Sequence, residues 1–201
     1  MRLLGPALLA LGCLTCAQVT AAAPPTRLDV RIGDQRILLE AGQTVEVHID
    51  GKPIKLHVAE LPTRQFADAG IRFEYPRHFP WEHEPARTWT LDGNNAVVIV
   101  TQGDKGEDTT ADELLDGIEE NLKQQRKGPR ERVVLETRQG RVSGVATTIT
   151  LASSRLRNEA YVLEGTSTLV ILLLQDSLDD DGHASAEFID MRKRLAATLE
   201  F

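Results

Sequence analysis

Residues 66–89, FADAGIRFEYPRHFPWEHEPARTW, hold six of the nine aromatic side chains in a chain of 201 residues. These are Phe66, Phe73, Tyr75, Phe79, Trp81 and Trp89. Aromatic rings carry the largest apolar area per residue, so this stretch must seed the core of the domain that follows it. Its grammar is a strand from Gly70 to Tyr75 stopped by Pro76, a loop carrying Pro80 and Pro85, and a strand opening at Trp89.

The first 23 residues read as an export signal. Arg2 supplies the basic end, Leu3 to Leu14 the apolar run, and Ala21, Ala22 and Ala23 the small-residue cleavage site. That run is shorter than a membrane span requires. Both cysteines, Cys13 and Cys16, lie in this segment, so the mature chain carries neither a disulfide nor a thiol nucleophile. A lipid attached at Cys13 or Cys16 is the second reading, although Ala10 and Thr15 depart from the attachment pattern. The formal net charge of −7 opposes general attraction to nucleic acid and to anionic membranes. Lys123, Arg126, Lys127, Arg130 and Arg132 form a local basic cluster, read as a solvated helix end. The localisation that follows is periplasmic or secreted.

Residues 24–62 read as a meander of two hairpins. Leu28, Val30 and Ile32 share a face with Ile37 and Leu39 across Gly33-Asp34, and Val45, Val47 and Ile49 with Ile54, Leu56 and Val58 across Asp50-Gly51. A tight Asp-Gly loop pairs Val47 with Ile54 and Glu46 with Lys55, whereas a loop wider by two residues pairs Val47 with Leu56 and keeps the same apolar face. His48 and His57 fall on the polar face. After Leu61-Pro62 the second unit runs over 63–201. Val97 to Val100 and Leu169 to Leu174 are apolar on consecutive residues, the mark of strands covered on both faces. Thr110 and Glu113 make a capping box for a helix to Lys127, with Leu114, Leu115, Ile118 and Leu122 as its apolar stripe. Three strands follow, at 132–137, 142–151 and 159–164. A last helix from about Ser185 to Thr198 turns Phe188, Met191 and Leu195 inward. The fold class that follows is α+β: a three-layer α/β/α sandwich around a mostly antiparallel sheet, with the N-terminal β-meander added.

The order of these elements resembles the PsbP-like superfamily, which takes in the PsbP subunit of photosystem II, a small Ran-binding nuclear import factor and bacterial DcrB-like periplasmic proteins. The features that carry the resemblance are GIRFEYPRHFPW, AVVIV, TADELLDGIEENL, YVLEGTSTLVILLLQDS and EFIDMRKRLAATLEF, over about 63–201. The resemblance implies an α/β/α sandwich with non-enzymatic assembly, binding or chaperone roles, and it supplies no catalytic residues.

Three groupings carry candidate chemistry. His78, Glu82, His83 and Glu84 are the metal-ligand types that lie closest together, suited to a divalent ion such as zinc. Their spacing belongs to a Pro-rich loop and not to one helix face, so a surface loop pinned by Phe79 and Trp81 is the competing reading. Asp176 to Gly182 resembles a calcium loop, but the alignment puts Ser177 and Phe188 at ligand positions and fails. His183, Asp179 and Ser185 are triad residue types around a helix cap. No nucleophile elbow and no phosphate-binding loop occurs. The sequence therefore points to a non-enzymatic module of the cell envelope, acting on a protein partner and without a cofactor. The alternative is a small-molecule or divalent-metal binder using Tyr75, Phe79 and Trp81; a hydrolase with an unrecognised site comes third.

Overall fold

The computed structural model describes residues 26–85, 87–104, 109–121, 129–151, 153–164 and 168–201. The export signal, with Cys13 and Cys16, and Lys123, Arg126 and Lys127 lie outside them. The chain divides into two compact units, Met1–Glu60 and Leu61–Phe201.

The first unit is two hairpins, β1 (Arg27–Ile32) with β2 (Gln35–Glu40) and β3 (Thr44–Ile49) with β4 (Lys52–His57). Two-residue turns fix both registers. Val47 faces Ile54 and Glu46 faces Lys55, as the tight Asp50-Gly51 loop predicts. Gln35 Nε2 ties the hairpins together by donating to the His48 carbonyl at 2.8 Å.

The second unit is built on β5 (Thr63–Asp68), β6 (Ile71–Pro76), β7 (Trp81–Glu84), β8 (Thr88–Asp92) and β9 (Ala96–Asp104). Helix α1 (Ala111–Asn121) follows, then β10 (Glu131–Thr137), β11 (Gly140–Leu151), β12 (Ser154–Glu164), β13 (Thr168–Ser177) and α2 (Ala186–Thr198). Seven strands form one antiparallel sheet in the order β10-β11-β12-β13-β9-β8-β7, while β5 and β6 make a separate hairpin. The two consecutive apolar runs do take the middle: β13 is the fourth strand and β9 the fifth. Val170, Leu172 and Leu174 enter one core with Val98 and Val100, and Leu173 enters a second core on the other face, where Ile99 packs.

The expected three-layer α/β/α sandwich does not form. Among the described residues the chain is mostly antiparallel β with two helices, so it is not an α/β/α sandwich. The reason lies in what covers each face. Against one face, α2 contributes Phe188, Met191 and Leu195, but Phe66, Ile71 and Phe73 of the β5–β6 hairpin supply much of the remaining cover. A hairpin does the work that the sandwich assigns to a second helix. On the opposite face α1 packs, through Leu115 with Leu114 and Ile118, against Val145, Ala160 and Leu173.

Local signals at the helix starts are realised. Thr110 Oγ1 accepts from the Glu113 amide at 3.2 Å while Glu113 Oε2 accepts from the Thr110 amide at 2.9 Å. Ser185 caps α2 by accepting from the Phe188 amide at 3.1 Å. The segment between Pro80 and Pro85, read as loop, is the edge strand β7. Trp81 and His83 alternate opposite Leu91 and Trp89 and so share their face of the sheet.

Candidate functional site

The sequence-flagged binding residues separate into two groups. Tyr75 and Trp81 line one shallow cleft together with Trp89, Phe66, Gln65 and Asp68. Phe79 goes elsewhere: it is fully buried, and its ring lies where a side chain on Gly93 would stand, within 2.6 Å of the position of a Cβ.

The four metal-ligand candidates also diverge. His78 Nε2 meets Glu187 Oε1 at 2.6 Å, and His83 stacks on Trp89 with ring centroids 4.9 Å apart. Glu82 and Glu84 alternate with His83 along β7 and project from its other side. Among the described residues no three side chains of metal-ligating type converge. Glu187 acts instead as a clamp, accepting also from the Asn95 amide at 2.6 Å and the Ala96 amide at 3.1 Å. Burial opposes its charge, but the Asn95 amide, His78 and the Ala96 amide outweigh that and lower its pKa. A lowered native pKa stabilises the fold above the unfolded-state value, and that stability is lost as the pH falls through the lowered one. Stability should therefore drop as the pH falls below the ordinary glutamate value of 4.5. In Glu187→Gln that acid limb should flatten, measured as urea midpoint against pH; an unchanged limb would refute the assignment.

The acidic loop ahead of α2 is spent on its own folding. Asp179 Oδ1 accepts from the His183 amide at 2.7 Å, and Asp176 Oδ2 from the Ser185 amide at 3.1 Å. His183 Nδ1 lies 3.5 Å from Asp179 Oδ2, but the Ser185 hydroxyl is committed to the helix cap.

The titratable groups that do converge were not singled out by the sequence reading. On β12, Arg157, Glu159 and Tyr161 recur at every second residue and so project from one face. Glu159 is buried, and its carboxylate takes three donors. Arg157 Nε lies at 3.0 Å, the Tyr161 hydroxyl at 2.7 Å, and Arg192 Nε of α2 at 3.1 Å. Arg157 Nη1 also reaches Glu131 at 2.9 Å, and Arg192 Nη2 donates to the Val134 carbonyl at 2.8 Å. Burial weakens both guanidinium charges, but the hydrogen bonds outweigh it and both pKa values are raised. Burial, and then the charge of Glu159, push the Tyr161 phenol upward, so it remains a neutral donor. The Tyr161 ring lies across Gly144 of the neighbouring strand, where a Cβ would sit within 2.5 Å of it.

This network forms the floor of a cleft of about 400 Å³ between α2 and strands β10 and β12. Val134, Leu135, Phe188, Ile189 and Ala196 make its apolar walls, and Lys193 and Glu136 stand at it as well. Glu136 is already paired with Arg141 at 3.0 Å. Arg192 also interacts with the Tyr161 hydroxyl, while Nη2 of Arg157 has no hydrogen-bond partner among the described residues. On the opposite face, Arg130 is drawn away from a solvated role. It grips Glu119 at 2.7 Å and also binds Asp116.

No protein-family model and no curated protein matches the chain. Among solved structures, the chain is similar to LpqN, involved in cell envelope biogenesis of Mycobacterium tuberculosis, at 12% identity and a TM-score of 0.39. The alignment covers 77% of this chain and 87% of that one. A likeness at that level transfers neither a site nor a ligand. The resemblance to the PsbP-like superfamily accordingly has no family match behind it, and the sandwich it implies is not the fold observed. No helix among the described residues is long and apolar enough to cross a membrane.

Proposed function

We propose that this chain is an exported, non-enzymatic binding module of the cell envelope that holds an amphipathic acid in the cleft beneath α2. The observation that carries the reading is the pair of arginines, Arg157 and Arg192, that line an apolar-walled cleft side by side on Glu159. A mostly apolar cavity with a few convergent polar groups is the usual form of a small-molecule site. An aliphatic chain fits walls made by Phe188, Ile189 and Ala196, and a carboxylate or phosphate head fits the two arginines, with Lys193 beside them. Catalysis is disfavoured because Glu159 already accepts from three donors, which leaves it a poor general base. Among the described residues no serine, threonine, cysteine or histidine lines the cleft. Export rests on Arg2, Leu3 to Leu14 and the alanines at 21–23.

Strand addition by a protein partner is less favoured by the sheet's two margins. At β10 the Val134 carbonyl is already taken by Arg192, and β7 is four residues long and carries Glu82 and Glu84.

Calorimetric titration with decanoate, decanol and decyltrimethylammonium tests the reading. Decanoate should bind, the cation should not, and Arg192→Met should weaken decanoate at least about tenfold. Silence from decanoate, or equal binding of the cation, would overturn it.

A further inference from the structure

The second concave site, at the β7 margin of the sheet, carries an inference independent of the α2 cleft. Its volume is about 250 Å³, and its lining includes Gln65, Asp68, Tyr75, Trp81 and Trp89. Trp81 is 52% exposed there, a large apolar surface left uncovered inside a concavity. Trp89 beside it is held in place by Phe66 edge-on at 5.9 Å and by His83 stacked on it.

Tyr75 supplies the second observation. The residue is only 4% exposed, yet its hydroxyl makes no hydrogen bond among the described residues. A buried tyrosine hydroxyl ordinarily finds a partner, because leaving it unpaired costs the desolvation of a polar group. Among the described residues the side-chain atoms that are both sealed and unpaired are Asn158 Nδ2 and Asp176 Oδ1, so the Tyr75 hydroxyl is not fully sealed, and Tyr75 lines the cleft. The Trp89 indole N–H is in the same position: 5% residue exposure, no partner, not sealed. On the rim, the Gln65 side-chain amide is uncommitted, and Asp68 spends only Oδ1, on the Ala69 amide at 2.9 Å.

The site thus offers one flat π surface, a hydroxyl, an N–H donor, an amide and a carboxylate oxygen. Among the described residues no lysine or arginine lines it. An anion has no counter-charge here, and it meets a carboxylate in a chain that is acidic overall. A quaternary ammonium would satisfy Trp81 and Asp68 but would leave Tyr75, Trp89 and Gln65 unpaired. A pyranose ring satisfies all of them: it presents an apolar C–H face to an indole and hydroxyls, each donor and acceptor, around its edge. We infer that this cleft binds a neutral sugar ring of a glycan, stacked on Trp81 and hydrogen-bonded by Tyr75.

The chain contains two tryptophans and both line this cleft, so intrinsic emission reads the site directly. The full chain is titrated with neutral trisaccharides of hexose, N-acetylhexosamine and pentose type, and with choline. At least one trisaccharide should give a saturable blue shift, and choline none. Tyr75→Phe, which removes only the hydroxyl, should weaken that binding about two- to tenfold. Trp81→Ala, at a half-exposed position, should abolish it as read by calorimetry. Silence across all three sugar classes, a response to choline alone, or wild-type affinity in both variants would overturn the inference.

Discussion

Replacing Glu159 with alanine should cost the fold about 3–5 kcal/mol, the usual price of removing one partner from a buried ion pair. The size follows from what remains behind. Arg157 and Arg192 would keep partly buried positive charges facing each other with no carboxylate between them. The Tyr161 hydroxyl, which is fully buried, would lose its acceptor. The ring itself has no room to swing aside, because it fills the space above Gly144. Urea denaturation followed by circular dichroism measures the loss. A drop below about 1 kcal/mol would mean that water reaches these groups freely and that the network is a surface feature.

The second large effect concerns the middle of the sheet. Leu172→Ala should destabilise by about 2–5 kcal/mol, the range for opening a cavity in a packed core. Leu172 is fully buried on the fourth of seven strands, opposite Val100 on one side and Tyr161 on the other. Leu38→Ala, at a residue 60% exposed on β2, should stay within about 0.5 kcal/mol. The contrast between two leucines controls for chemistry. Equal losses would contradict the placement of β13 at the centre of the sheet.

Features set by neighbours in the chain were legible in the sequence. The Asp50-Gly51 turn fixed the apolar face of its hairpin and took the tighter of its two registers, Thr110 and Glu113 announced α1, and the spacing of Phe188, Met191 and Leu195 gave the buried face of α2. The runs 97–100 and 169–174 declared burial on both faces and took central positions. What the sequence left hidden depends on distant partners. That β5–β6 would cover a face assigned to helices follows from where Phe66 and Phe73 pack, and not from their local pattern. Glu159 looked like the first residue of an ordinary strand. Its burial is licensed by Arg192, 33 residues later on α2, which no periodicity records. The signal that was available is the alternation Arg157, Glu159, Tyr161: charged residues on the same face as a core aromatic. Similarly, Gly144 is explained by the Tyr161 ring across the ladder and by nothing in its own strand.

The claim on which the functional reading stands is that the cleft between α2 and strands β10 and β12 receives an aliphatic chain with its acid head at Arg157 and Arg192. Isotope-filtered NMR on the methyl-labelled protein with unlabelled decanoate examines this directly. Nuclear Overhauser contacts should run from the decanoate methylenes to the methyl groups of Val134, Ile189 and Ala196, and should disappear in Ile189→Asp. Contacts confined to methyls elsewhere in the protein, or none at saturating decanoate, would contradict the account.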